Sequence, residues 1–305
     1  TYHQLKFAPV EDVIAATADA DIVVVNMVPI TPEVIAGWKN VKLVIRHGTG
    51  YDNVNVPALT EAGIPLVYIP DYCTDEVAEQ AIALIFACAR RIVSSRKTLD
   101  DSSTRGQWDF NEVIPIFRMA GRTLGILGCG RIGSLVFHKL QSFGFNVIAC
   151  DPYLKEARRT KLEAEGVRFV DKETLFRESD FITVHTLLTD ETRRIVNADT
   201  LALMKPTAYL VNTARGPMVD VEALAAALKN GVIAGAGIDV FDKEPPETDF
   251  PLFGLPNAIL TPHLAWYSED SGMRIREIIL IEIDRFIAGQ PPRYTVNPSV
   301  LKAIA

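Results

Sequence analysis

The run Leu124-Gly125-Ile126-Leu127 passes without a break into Gly128-Cys129-Gly130-Arg131-Ile132-Gly133, and a helical pattern follows to about residue 143. A second apolar run, residues 146–150, ends at Asp151. Strand, glycine turn, helix, strand and acidic residue in that order constrain the fold more than any other feature, because each glycine has its own mechanical task. Gly128 makes a tight turn, Gly130 lets the backbone approach a pyrophosphate, and Gly133 lets helix and strand pack closely. The helix N-terminus, with Arg131 and Ile132 in its first turn, presents unpaired amides and a partial positive charge to the phosphates. Asp151 is placed to accept hydrogen bonds from the adenosine ribose hydroxyls. Its charge opposes a 2′-phosphate, so the motif predicts NAD rather than NADP.

Short β-branched runs at 21–25, 41–45 and 65–68 read as buried parallel strands of an incomplete βα layer. Thr31-Pro32-Glu33 between the first two has the form of a helix start. Further strands are expected at 123–128, 146–150, 181–184, 208–212, 234–239 and 257–260, with helices near 131–143, 155–165 and 220–230. The pattern predicts an α/β protein of two Rossmann-like or flavodoxin-like domains, the larger a doubly wound parallel sheet binding NAD. A last long helix, 268–288, ends at Gln290-Pro291-Pro292, and its tail is expected to fold back on the first domain. The first domain is therefore read as discontinuous, residues 1–78 plus 267–305, and the NAD-binding domain as 79–266. The longest helical pattern runs from Thr74 to about Lys97 and is apolar all round from Ala81 to Ala89. That predicts burial on every side, across domains or at the core of a homodimer. Residues 100–110 read as a polar connecting loop.

Composition removes several function classes. A net charge of −7 without a dense Lys/Arg stripe argues against nucleic acid as a direct partner. The longest uninterrupted apolar stretch, Ala81 to Ala89, is far too short to span a membrane. Four cysteines without a C-x-x-C pair read as reduced thiols of a cytoplasmic protein, Cys129 among them as a small buried thiol. The histidines, at 3, 47, 138, 185 and 263, lack the spacing of a zinc helix, so no metal site is predicted. No leader is evident at Thr1, and the chain starts without an opening strand, as though its native N-terminus were missing.

Three polar residues stand in distinctive settings: Arg215 in Asn-Thr-Ala-Arg-Gly, Glu244 in Asp-Lys-Glu-Pro-Pro, and His263 in Thr-Pro-His. Singly, each has a plain reading as a surface turn, a solvated carboxylate or a core histidine. Together they lie at or beyond the carboxyl ends of expected strands, where open α/β sheets bind ligands. The segments 210–216, 239–245 and 261–263, with 123–133 and the loop Gly48-Thr49-Gly50-Tyr51-Asp52-Asn53, resemble the signature segments of the D-isomer-specific 2-hydroxyacid dehydrogenases. Within that family, 143–147, 151–154 and 263–269 most resemble the C-terminal-binding-protein branch, which includes corepressors as well as bacterial enzymes.

The resemblance implies NAD-dependent hydride transfer to or from a D-2-hydroxy acid or 2-keto acid. His263 would be the acid/base, Glu244 the carboxylate fixing its tautomer, and Arg215 the grip on the substrate carboxylate. The amides of Gly48, Thr49 and Gly50 would give a second grip, in a cleft between domains. Family-matched cofactor contacts are Val77, His185, Thr186, Asn212, Thr213, Ala214 and Asp239, beside Gly128, Gly130, Arg131, Ile132, Asp151 and His263. Trp266 would wall the substrate pocket, with interdomain packing as its alternative. Phosphoglycerate-type relatives carry basic residues where this chain has Asn26 to Thr31, so the substrate is expected to be small and non-phosphorylated. Leu187 replaces the family's usual proline. An NAD(H)-sensing, corepressor-like interaction protein stays open as the second reading, as does another redox chemistry on a small oxyanion.

Overall fold

A computed structural model describes residues 8–303. His3 and the expectation about how the chain opens lie outside the described residues. The chain divides into two compact units, one of Thr1–Cys73 with Tyr267–Ala305, the other of Thr74–Trp266.

The first unit holds a parallel sheet of β1 (Ile22–Val25), β2 (Leu43–Arg46) and β3 (Leu66–Val67), in that order. Val23, Val44, Leu59 and Leu66 belong to its apolar core. Thr31 caps the helix Pro32–Ala36 by accepting from the amide of Val34. The C-terminal segment is part of this unit. Ser268 and Ser271 form a capping box at the start of the helix Glu269–Ile287. Beyond that helix, the Val296 amide donates to the Leu66 carbonyl at 2.8 Å, and Asn297 Oδ1 accepts from the Leu66 amide at 2.8 Å. The tail therefore extends the hydrogen bonding of β3, which a two-residue strand could not supply alone.

The second unit is a seven-stranded, wholly parallel sheet. Its strands are β4 (Thr123–Leu127), β5 (Asn146–Cys150), β6 (Arg168–Phe169), β7 (Phe181–Val184), β8 (Tyr209–Asn212), β9 (Gly235–Ile238) and β10 (Ala258–Leu260). The order β10-β9-β8-β7-β4-β5-β6 places the reversal of winding between β4 and β7. Two apolar clusters cover the sheet. Ile148 and Leu210 belong to one, while their neighbours Val147, Ala149 and Val211 belong to the other. That alternation is the period-two signature of a sheet buried on both faces.

Two local expectations are corrected. The helix read over 74–97 is two helices, Thr74–Ala89 and Ile92–Ser103, broken where Arg91 adopts φ 50°. A left-handed residue cannot continue a right-handed helix, and nothing in an Arg-Arg pair announces one. The second helix runs to Ser103, so the stretch read as loop begins four residues inside it. Within the single chain the apolar segment 81–89 is covered on one side, with Leu84, Ile85 and Cys88 buried, Phe86 half-buried and Ala83 exposed. Strand β6 and the helices Lys172–Glu178 and Ala198–Leu203 were not anticipated, being too short to show a period.

Candidate active site

The glycine turn follows β4. Gly128 has φ 90°, and a Cβ there would meet the Thr186 amide nitrogen at 2.7 Å. The absent side chain thus serves both the turn and the approach of the loop after β7. At Gly133 a Cβ would lie 2.2 Å from the Gly128 carbonyl, so helix and turn close only around glycine. Gly130 is different: a Cβ there meets nothing within 4 Å. No side chain caps the helix Arg131–Leu140, whose first turn carries exposed Arg131 and half-buried Ile132. Open space and uncapped amides suit an anionic group at that end.

Asp151 follows β5 directly and is tied to the turn. Its Oδ2 accepts from the Cys129 amide at 2.9 Å and its Oδ1 from the Tyr153 amide at 3.1 Å. These bonds fix the carboxylate beside the glycines. Cys129 is buried, and burial pushes its thiol up to about 12, which keeps it protonated and unreactive.

At the end of β7, His185 keeps a little accessible surface, but protein surrounds its ring. Its Nε2 is 2.8 Å from Thr183 Oγ1. Loss of hydration pushes the imidazole down to about 3, so the ring is neutral at any working pH. Thr186 is half-buried, its hydroxyl donating to the Leu187 carbonyl. Val77 is buried in the first turn of the helix Thr74–Ala89.

Beyond β8 the Asn212 side chain clamps the turn that carries Arg215, accepting from the Ala214 amide at 3.0 Å and donating to the Arg215 carbonyl at 2.9 Å. Arg215 is half-buried and donates from Nη1 to the Ala214 carbonyl. At Gly216 a Cβ would lie 2.1 Å from the Phe241 carbonyl carbon, so only glycine lets this turn press against the loop after β9. That loop carries Glu244. Thr213 Oγ1 is buried without a hydrogen-bond partner among the described residues. A buried hydroxyl left so is costly unless a bound molecule satisfies it.

His263 follows β10 with φ 52°, a strained value for a residue with a side chain. Its Nδ1 is 2.8 Å from both Glu244 oxygens. The imidazole and carboxylate are 30% and 15% exposed, enough cover to hold one geometry while leaving the ring open to a ligand. With Nδ1 engaged by the carboxylate, Nε2 is the nitrogen left for proton exchange. Asp239 has no accessible surface. Its carboxylate takes the Thr261 hydroxyl and the amides of Leu264 at 3.0 Å and Ala265 at 2.9 Å, while its carbonyl takes the His263 amide at 2.7 Å. The resemblance implies a cofactor contact at Asp239, and the same carboxylate also holds the loop that carries His263. Neither that task nor the Asn212 clamp is legible from sequence spacing.

Arg215, Glu244 and His263 thus sit on the loops after β8, β9 and β10, three adjacent strands, with His263 and Glu244 directly bonded. Trp266 closes the same unit, half-buried. In the first unit, the Gly48 carbonyl accepts from the Ile69 amide at 3.0 Å and the Thr49 hydroxyl donates to the Ile69 carbonyl at 2.9 Å, which fixes the loop running to Gly50. Among the described residues no cluster of His, Cys, Asp and Glu could hold a metal ion, and no helix is long and apolar enough to cross a membrane.

The family model described as D-isomer specific 2-hydroxyacid dehydrogenase, NAD binding domain, matches residues 82–265. The glyoxylate reductase of Korarchaeum cryptofilum is 38% identical over 275 residues, covering 90% of this chain and 81% of that protein. The hydroxypyruvate reductase of Blautia hydrogenotrophica is 35% identical over 295 residues, covering 95% and 89%. D-lactate dehydrogenase from Aquifex aeolicus, solved with NAD and lactic acid, superposes with a TM-score of 0.82 at 28% identity, covering 98% of this chain and 89% of that one.

Proposed function

Because the chain belongs to the D-isomer specific 2-hydroxyacid dehydrogenases, an NAD-dependent oxidoreductase family, we propose that His263, Glu244 and Arg215 carry out its reaction on a small, non-phosphorylated 2-keto acid. The observation that carries this reading is the bond from His263 Nδ1 to both oxygens of Glu244 at the carboxyl edge of a sheet with the NAD-binding turn. The cofactor, when bound, supplies or accepts the hydride. His263 Nε2 gives its proton to the keto oxygen in reduction and takes it back in oxidation. Glu244 holds Nδ1–H, so the ring cannot turn or change tautomer between the two steps. Arg215 binds the substrate carboxylate through its planar fork and draws charge from the adjacent carbonyl. Gly48, Thr49 and Gly50 are proposed as amides for that carboxylate, and Trp266 as the apolar wall.

Toward the cofactor, Gly128, Gly130, Arg131 and Ile132 receive the pyrophosphate and Asp151 the ribose hydroxyls. The Thr213 hydroxyl, with Ala214, finds a partner there. Val77, His185 and Thr186 complete the wall. The names of the relatives direct the substrate search to glyoxylate and hydroxypyruvate. We also propose a cytoplasmic homodimer. A cysteine content of four, without any C-x-x-C pair, supports the compartment. Exposed Ile92, Val93, Trp108, Phe110 and Ile114 support the second copy, since that much apolar surface in one stretch of chain calls for cover.

The test is loss of NADH absorbance with glyoxylate, hydroxypyruvate, pyruvate and bulkier apolar 2-keto acids. Turnover on one or more is expected. Tight NADH binding with no turnover on any would overturn the catalytic reading in favour of an NAD(H)-sensing interaction protein.

A further inference from the structure

The helix Thr74–Ala89 turns one face to the sheet, with Val77, Ala81 and Leu84 buried along it. Gln80 is the polar exception, half-buried beside them. The helix reaches the sheet closely because β9 is nearly bare: a Cβ at Gly237 would already meet Leu84 Cβ at 3.0 Å. At that separation Gln80 Nε2 donates to Thr261 Oγ1 at 3.2 Å. Thr261 in turn donates to Asp239, and Asp239 accepts from the amides of the two residues that follow His263. Hydrogen bonds in series polarise one another, so a hydroxyl that accepts from an amide donates more strongly to a carboxylate.

We propose that Gln80 is a positioning residue for the reaction, acting on His263 through Thr261 and Asp239. The proposal rests on reading His263 as the acid/base. The physical need is the backbone at His263, whose φ of 52° is uphill for a residue with a Cβ. That conformation persists only if its surroundings over-determine it. The Asp239 network is that surrounding, and Gln80 is where the helix enters it. Without Gln80, the Thr261 hydroxyl loses the donor that orients it and holds Asp239 less firmly, and the loop can relax toward a conformation that moves the imidazole. A misplacement of about 1 Å near the reacting atoms is enough to slow a reaction.

The experiment measures kcat, KM and NADH affinity for Gln80→Leu, Thr261→Val, Thr261→Ser, the double variant Gln80→Leu/Thr261→Val, and His263→Ala. Gln80→Leu is expected to lower kcat about five-fold, with KM and NADH affinity unchanged within about two-fold. Thr261→Val should lose more, and Thr261→Ser, which keeps the hydroxyl, should recover most of it. Because both residues act in one chain, the double variant should be no worse than Thr261→Val alone. Unchanged kcat in Gln80→Leu, a loss confined to KM or NADH affinity, or losses that multiply in the double variant would each overturn the proposal. If Gln80→Leu does not fold, the Thr261→Ser and Thr261→Val pair decides: equal loss in both overturns it. His263→Ala separates the two levels. Turnover surviving there sinks the acid/base reading, whereas a dead His263→Ala beside a normal Gln80→Leu sinks only the role of Gln80.

Discussion

On either side of the β4–β7 junction the strand ends are finished by opposite means. Over β4 and β5 the surface is backbone: a turn of glycines, an uncapped helix start and one carboxylate held by two amides. Over β8, β9 and β10 it is side chains, each fixed by others behind it: Asn212 under Arg215, Glu244 against His263, Asp239 under the His263 loop. The first flank needs volumes left empty. The second needs particular chemical groups, so one added methyl and one deleted ring probe different things.

The sharpest break in that comparison is His263→Ala. If the β10 flank carries the proton, turnover should fall by roughly 10²–10⁴-fold while NADH affinity stays within about two-fold, because nothing on the glycine flank has changed. Stopped-flow turnover and NADH fluorescence titration measure the two. Loss of NADH binding in step with turnover would show that the flanks do not divide the labour. Glu244→Gln should give a smaller loss in the same direction, since the amide can still hold Nδ1 but without the charge.

On the other flank, the carboxylate at the end of the turn is predicted to select the cofactor. Asp151→Ser should raise the efficiency with NADPH relative to NADH by roughly 10–100-fold, as repulsion of the 2′-phosphate disappears. Steady-state kinetics with both cofactors read this directly. An unchanged ratio would mean that Asp151 serves only to brace the Cys129 and Tyr153 amides.

Two glycines three residues apart then separate empty space for a ligand from empty space for the fold. Gly130→Ala adds a Cβ that meets nothing, so thermal stability should hold while NADH affinity falls about ten-fold. Gly133→Ala drives a Cβ onto the Gly128 carbonyl and should cost about 1–3 kcal/mol of stability, seen as a lowered denaturation midpoint. Equal losses of stability in both variants would contradict the distinction.

The two flanks also differ in how far the sequence discloses them. Volume is written in the residue type, so the turn at 128–133 and its strand–helix setting are legible from glycine spacing alone. A doubly wound parallel sheet follows from the same alternation, because parallel strands joined by helices have few ways to wind, although the two-residue edge strand β6 is too short to show. Chemical position is less legible. Arg215, Glu244 and His263 could be named, but not the φ of 52° at His263, nor that Asp239 would hold its loop. Those depend on contacts between segments far apart in the chain, such as Gln80 with Thr261. The break at Arg91 was hidden for a different reason: the left-handed residue between the two helices is an arginine, and no glycine or proline marks the turn.

The smallest effect is expected at the other strand-end histidine, and on stability rather than turnover. His185 is the counterpart of His263: its imidazole, stripped of water, stays neutral down to about pH 3, whereas in the unfolded chain it protonates near 6.5. Between those values the unfolded state binds a proton that the folded state does not, so stability falls as pH falls below 6.5. At pH 5 this group alone should cost roughly 1–2 kcal/mol relative to neutral pH. His185→Gln keeps a hydrogen bond to Thr183 but has no proton to gain. Its denaturation midpoint should therefore drop less than that of the parent protein between pH 7 and pH 5. His47, also lowered chiefly by burial, remains in both proteins and cancels from the difference. The pH profile of turnover should be unaltered by the substitution, because a ring that is neutral throughout contributes no ionisation to it. A shifted profile would move the proton chemistry from the β10 flank to the end of β7.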